Sequence, residues 1–351
     1  MEARAEVMGI DLGDRFSNYA VIDSRGRIIE EDRVATRRES MERLLSSHTP
    51  IRVVIETGTH SPWVSRLAAA AGYEVIVANA RKVKLISANK KKRDRVDARY
   101  LVRLGRADVE LLHPVRHRSE QTQQHRSWLL AREAAVRSRT KLINHVRGIV
   151  KSLGERLPSC SAEAFVKQAR PCVPAAMQPV LLPLLPLIEL LSETIRQYDK
   201  AIAALSRRHY PVVERLQQVS GVGPLTALAF VLTLEDPHRF GRSRTVGAYL
   251  GLVPGTHESG EQVPQMHITK EGDVMLRCLL INAAHYILGR YGPDCDLRRH
   301  GLRIAQRGGK IAKKRAVVAV ARKLAVLLHK LWVDQLDYDP LHASGRLAQA
   351  A

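Results

Sequence analysis

Four acids in an otherwise cationic chain, Asp11, Glu56, Asp94 and Asp97, are the residues whose types and spacing point to chemistry. Asp11 closes an apolar run that starts at Val7, Glu56 closes a second that starts at Val53, and Asp94 and Asp97 open a helical stretch. Carboxylates gathered at strand ends suit Mg²⁺ or Mn²⁺, which can activate one oxygen of a phosphodiester reaction and stabilise another. The step of three between Asp94 and Asp97 sets both on one helix face. A single acid at a strand end is more often a solvated loop residue, so the order and context of the four carry the reading. Asp14 and Asp23 are set aside: both fall in the opening hairpin, and Asp23 begins a turn whose backbone an Asp side chain would cap. A nucleophile is harder to read. Ser259 precedes Gly260 in a polar loop with no local His and Asp to activate it, which leaves metals, Lys270, Arg277 or distant carboxylates; Ser243 and Thr245 are rivals upstream.

Charge names the partner. The chain of 351 residues carries 56 Lys and Arg against 35 Asp and Glu, a net +21, which is a statement about polyanions and points to DNA or RNA. Residues 81–118 hold 13 basic and 4 acidic side chains, and residues 287–330 hold 12 and 2, so the excess forms two surfaces. Lys90, Lys91, Lys92 and Arg93 stand out in the first and Lys313, Lys314 and Arg315 in the second as phosphate contacts, and Lys270 and Arg277 outside them are further candidates. Gly221 and Gly223, in Val219 to Ala227, have the spacing of a helix-hairpin-helix turn that offers backbone N–H groups to a phosphate. Cys160, Cys172, Cys278 and Cys295 lack the spacing of zinc ligands and fit a reducing cytoplasm. The apolar run Val180 to Leu191 holds two prolines and falls short of the roughly 20 residues needed to cross a bilayer, so no membrane role is expected.

The elements that must position these residues follow from periodicity. Val7 to Leu12, Asn18 to Asp23 and Arg27 to Val34 read as an antiparallel meander, followed by a helix at 39–45, a strand at 53–56, a helix at 62–71 and a strand at 74–78. Three strands, then α, β, α, β, is the order of a ribonuclease-H-like domain, whose strand ends would gather the four acids. Residues 119–153 read as one long helix with a seven-residue apolar repeat, and 187–207 as a second. Together they predict an antiparallel coiled coil, with the Pro-rich 158–186 as its distal connection and oligomerisation as an alternative use. A mostly helical part follows from residue 211. The expected fold is thus α/β plus α: a ribonuclease-H-like domain at 1–117, a coiled-coil region at 118–210, a C-terminal domain at 211–340 and a tail at 341–351.

Gly9-Ile10-Asp11-Leu12-Gly13, Val54-Ile55-Glu56-Thr57, Lys92 to Ala98, Ser220 to Gly223, Tyr249 to Pro254, Glu258-Ser259-Gly260 and Ile268 to Arg277, in that order, resemble the DEDD-type insertion-sequence transposases, bridge-RNA-guided serine recombinases. The resemblance spans nearly the whole chain. It implies a Holliday-junction-resolvase-like domain, a coiled-coil insertion and a transposase domain. It also implies that Asp11, Glu56, Asp94 and Asp97 bind Mg²⁺ or Mn²⁺ and that Ser259 attacks the DNA backbone, the acids of one protomer working with the serine of another. Donor and target DNA, a structured noncoding guide RNA and a dimer assembling to a tetramer are the implied partners, in a prokaryotic cytosol beside the nucleoid. Three other readings compete. Ile10 to Gly13 also resembles the first phosphate hairpin of actin-like ATPases, but Ile55 to His60 has one glycine where a second phosphate loop is expected. A metal-dependent structure-specific endonuclease using water would need the acids and no serine, and a noncatalytic nucleic-acid scaffold would need neither.

Overall fold

The structure is a computed structural model that describes residues 6–49, 52–83, 94–255 and 266–342, with the side chains of 94–96 left aside. Lys90 to Arg93, Ser259 and the tail beyond 342 lie outside the described residues. By internal contacts the chain divides into two compact units, Met1–Ser119 and Glu120–Ala351.

In the first unit, β1 (Val7–Asp11), β2 (Phe16–Ile22) and β3 (Ile28–Ala35) form the meander. The β2–β3 turn forms where expected, because Asp23 Oδ1 accepts from the backbone N–H groups of Arg25 and Arg27 at 2.9 and 2.8 Å. Helix α1 (Arg38–Ser46), strand β4 (Arg52–Glu56), helix α2 (Ser61–Ala70), strand β5 (Glu74–Ala78) and helix α3 (Asp94–Ala107) complete it. The sheet runs β3-β2-β1-β4-β5, with β1 antiparallel to β2 but parallel to β4, and β4 parallel to β5. That mixed five-stranded order is the ribonuclease-H-like topology the sequence predicts.

Alternation along the strands decides what each face holds. Met8, Ile10, Val53 and Ile55 bury against Met41, Leu44, Val64 and Ala68 of α1 and α2. Val7, Ala20, Ile22 and Val54 bury on the opposite face against Ala98, Leu101 and Val102 of α3.

The second unit opens with two long helices, α4 (Glu120–Ser152) and α5 (Leu184–His209). Their pairing is antiparallel: Arg132 bonds Asp199, Arg139 bonds Ser192, and Ile143, Val146 and Val150 share a core with Leu185 and Ile188. Leu129 and Ile202, at the other end of the pair, belong instead to the core of the C-terminal region, so pair and region share one unit. That core is built on α6 (Pro224–Leu234), buried from Thr226 to Leu234, and on α7 (Val274–Leu288), α8 (Asp296–Ala305) and α9 (Gly309–Val333). Among the described residues no single helix is long and apolar enough to cross a membrane.

Candidate active site and nucleic-acid interface

Strand parity sets the acids of the first unit on one face. Asp11 follows Val7 and Gly9 at steps of two, and Glu56 follows Val54, so both carboxylates belong to the face that α3 covers. Because β1 and β4 are parallel neighbours with Ile10 opposite Ile55, the next position on each strand brings Asp11 alongside Glu56 at the carboxyl edge. Both are half-buried.

Two glycines then fix how α3 lies. A Cβ on Gly9 would stand 2.7 Å from Ala98 O and 2.9 Å from Val102 N, and one on Gly105 would stand 2.3 Å from Val54 Cγ2 and 3.5 Å from Val7 Cγ1. At Gly9 the helix and the sheet therefore touch backbone to backbone, and at Gly105 the helix backbone rests on the Val54 and Val7 side chains. The start of α3 lies over the Asp11 end of β1 and its last turn over the Val7 end. Asp97, next to Ala98, is 9% exposed at that same edge, and the backbone of Asp94 begins the helix one turn earlier. The structure thus sets Asp11 and Glu56 on neighbouring strand ends and places Asp97 on the turn of α3 that lies over that end of β1. Among the described side chains, which exclude that of Asp94, no three metal-ligating groups close around a single point.

The loop after Glu56 is tied at several points. Thr57 N–H donates to Ala78 O at 3.0 Å, and Thr57 Oγ1 accepts from Ala80 N–H at 3.1 Å. The fully buried Ser61 hydroxyl accepts from Gly58 N–H at 2.9 Å and lies 2.8 Å from Gly58 O, to which it donates. His60, which sequence reasoning passed over, sits here with Nδ1 accepting from Trp63 Nε1–H at 3.1 Å. Its signal was the i, i+3 spacing from His60 to Trp63 at a helix start. His117, in the same unit, has its basicity lowered by burial and by the nearby charges of Arg66 and Arg118.

In the second unit the described residues on either side of 256–265 pair in a short ladder. Gly255 N–H donates to His267 O and Thr269 N–H to Val253 O, both at 2.9 Å, and Pro254 bridges Ile268. Gly251 and Gly272 each press against the backbone beside the other: a Cβ on Gly251 would stand 2.3 Å from Glu271 O, and one on Gly272 would stand 2.1 Å from Tyr249 O. Arg277, read from sequence as a phosphate or activating contact, is 8% exposed, and its Nη1 donates to Leu250 O at 3.0 Å and Glu271 O at 2.7 Å. It is spent on holding the ladder. The signal was its place on the α7 stripe with Leu280 and Ala284, both buried. Asp273 caps α7 by accepting from Leu276 N–H at 2.9 Å and pairs with Arg126 of α4.

Lys270 is exposed with φ of +57°, and Lys313, Lys314 and Arg315 project from α9. Lys270, Lys314 and Arg315 line a groove of about 1420 Å³ whose floor includes Leu252, Ile304 and Val318. Gly221 turns the chain with φ of +86°, and the exposed Gly223 precedes Pro224 at the start of α6. Ser243 is no free hydroxyl. Pro237 O can only accept, so it takes the Nε2–H of buried His329 at 2.8 Å, and Ser243 Oγ–H donates to Nδ1 at 2.9 Å.

A ribonuclease-H-like sheet edged with acids, in a chain that also carries a cationic helical groove, is the construction of enzymes that act on nucleic-acid backbones. Comparison with known proteins narrows the class. Residues 8–154 match the DEDD transposase model of IS110 elements, and residues 213–298 match the transposase model of the IS116/IS110/IS902 family. The transposase for insertion sequence element IS1111A of Coxiella burnetii is 30% identical over 345 residues, covering 95% of this chain and 91% of its own. The transposase for IS1328 of Yersinia enterocolitica is 26% identical over 294 residues, 81% of this chain and 84% of its own. Thermus thermophilus RuvC in complex with Holliday junction substrate aligns with 30% of this chain and 87% of its own, at 19% identity and a TM-score of 0.21. This chain belongs to the DEDD-type IS110 family of insertion-sequence transposases, and it is a DNA transposase.

Proposed function

We propose that this transposase cuts donor and target DNA with Ser259 and rejoins them through a transient phosphoserine, assisted by a divalent ion held by Asp11, Glu56, Asp94 and Asp97. The observation that carries the acid half is the shared face of Asp11, Glu56 and α3 at one sheet edge. The donor set fits a hard cation, Mg²⁺ or Mn²⁺, because all four side chains offer carboxylate oxygens. What such an ion supplies is charge neutralisation on the phosphodiester and activation of the attacking oxygen. In the cutting step the Ser259 oxygen bonds to phosphorus, and a bridging oxygen departs and takes up a proton in place of the one the serine lost. A DNA hydroxyl then attacks the phosphoserine and restores the serine, so rejoining consumes no external energy source.

A structured noncoding RNA selects the sequence by base pairing while the cationic surfaces grip backbones, in a dimer that assembles to a tetramer with the acids of one protomer serving the serine of another. The groove lined by Lys270, Lys314 and Arg315, with neighbouring Lys313, supports this backbone-gripping role. The exposed Gly223 N–H at the turn into α6 is suited to a further phosphate contact. Lys90, Lys91, Lys92 and Arg93 add charge immediately ahead of Asp94.

The test is the covalent protein–DNA adduct on denaturing gels. Ser259→Ala abolishes adduct and strand transfer with binding intact, Asp11→Asn lowers both, and Ser243→Ala, which loses only the His329 bond, retains the adduct. An undiminished adduct from Ser259→Ala would overturn the serine assignment, and full activity of Asp11→Asn would overturn the acid site. RNA that co-purifies with the protein and is needed for recombination tests the guide.

A further inference from the structure

His60 stands where the loop after β4 reaches the carboxyl edge, four residues beyond Glu56. An indole N–H can only donate, so the 3.1 Å contact from Trp63 Nε1 makes His60 Nδ1 an acceptor and puts the ring proton on Nε2. That N–H looks away from Trp63 toward the β1–β2 turn. Asp14 Oδ1 lies 3.9 Å from Nε2, too far for a hydrogen bond, and its side chain is 96% exposed. A donor with a fixed tautomer, on a loop tied through Thr57 and Ser61, thus follows the strand that ends in Glu56 and faces the turn that follows Asp11, with the acid it faces, Asp14, solvated. Trp63 is satisfied by one ring nitrogen, and the other faces the β1–β2 turn that follows Asp11.

We propose that His60 is a substrate-contacting catalytic residue of the acid edge, whose Nε2–H donates to a non-bridging oxygen of the scissile phosphodiester. The proposal rests on the reading of that edge as the DNA-cutting site. Acids there repel the phosphate they must approach, and a pre-aimed neutral donor offsets that without drawing off their charge. Fixing the tautomer through Trp63 removes the reorganisation that a free imidazole would undergo.

Single-turnover cleavage of element-end DNA by the full-length protein in Mg²⁺ tests this. His60→Ala is expected to cleave about 10²-fold more slowly at saturating DNA. Added imidazole should restore part of the rate, and His60→Gln, which keeps an N–H donor, should fall between. A wild-type rate for His60→Ala overturns the proposal, as does a slow rate that neither imidazole nor the glutamine improves, which would mark His60 as packing alone. Asp11→Asn run in parallel separates the two ideas. If it is inactive while His60→Ala is unimpaired, only the His60 role fails; if both are fully active, the reading of the edge fails.

Discussion

Gly9→Ala measures how far the acid edge depends on the seat of α3. The new Cβ would meet Ala98 O at 2.7 Å, Val102 Cγ1 at 2.8 Å and Val102 N at 2.9 Å, where ordinary contact begins at 3.4 Å. Two of the three atoms are backbone and cannot rotate away. The helix must retreat by about 0.7 Å, and overpacking of this kind costs about 1–3 kcal/mol. Removing a glycine from the unfolded chain offsets about 0.4–1 kcal/mol of that. For a unit of this size roughly 4 °C of melting temperature is lost per kcal/mol, so a fall of several degrees is expected. The catalytic effect should be larger. Ala98 adjoins Asp97, so the retreat occurs where that carboxylate must hold its place, and misplacement by about 1 Å can cost about 10²-fold in rate.

Gly105→Ala is the control, because its Cβ would strike the Val54 side chain from the far end of the same helix. At about 1.5 Å per residue that point lies about 12 Å from Asp97 along the axis. Thermal melts and Mg²⁺-dependent cleavage at saturating DNA are the assays. Gly9→Ala should lose both stability and rate, Gly105→Ala mainly stability. Equal melting losses with both variants cleaving at the wild-type rate would refute the dependence of the acids on this seat.

The second unit offers a paired contrast. Arg277→Met removes two charged hydrogen bonds to the Leu250 and Glu271 carbonyls and should destabilise by roughly 3 kcal/mol, read as a lowered denaturant midpoint. Lys314→Glu, on an exposed position of α9, should leave the midpoint unchanged, weaken nucleic-acid binding and flatten its salt dependence; a lowered midpoint would contradict the exposure. His117 supplies a pH test: burial first, then the charges of Arg66 and Arg118, hold its folded pKa below the ordinary value. Its stabilisation is therefore complete above about pH 6.5, where the unfolded histidine is neutral, and declines as pH falls toward the folded pKa. His117→Leu should flatten that decline in denaturant midpoints measured from pH 7.5 to 5.5, and an unchanged slope would refute it.

Much of this was legible because it is periodic. The alternation of Met8 and Ile10 with Val7 and Gly9, and the matching alternation in Val53 to Glu56, specify strands with two buried faces and the face of each terminal acid. The seven-residue repeat beside Leu129 and Ile143 likewise specifies a long helix that needs a partner. What escaped the sequence depends on distance in three dimensions. Arg277 looks like any phosphate contact until the two carbonyls that consume it are known, one of them 27 residues away. Ser243 looks like any loop hydroxyl until His329, 86 residues on, accepts its hydrogen bond. His60 was hidden differently, by a short-range signal that is visible only when the direction of its second nitrogen matters.

The two halves of the proposed chemistry are supported by different kinds of structure, and this bears on how each will fail. Asp11, Glu56 and Asp97 stand on strands and a helix whose spacing two glycines set by contact, so the acids can be disturbed only by moving whole elements. The ladder that flanks residues 256–265 is made of two backbone hydrogen bonds about the Pro254–Ile268 pair, reinforced by the close approach of Gly251 and Gly272 and by one buried guanidinium. Arg277 ties that ladder to α7, and Asp273, four residues earlier, ties the start of α7 to Arg126. Loss of either charge would loosen the ladder, not the elements that carry the acids. Defects in Arg126, Asp273 or Arg277 should therefore reduce adduct formation while metal-dependent behaviour persists, whereas a displaced α3 should weaken metal dependence first.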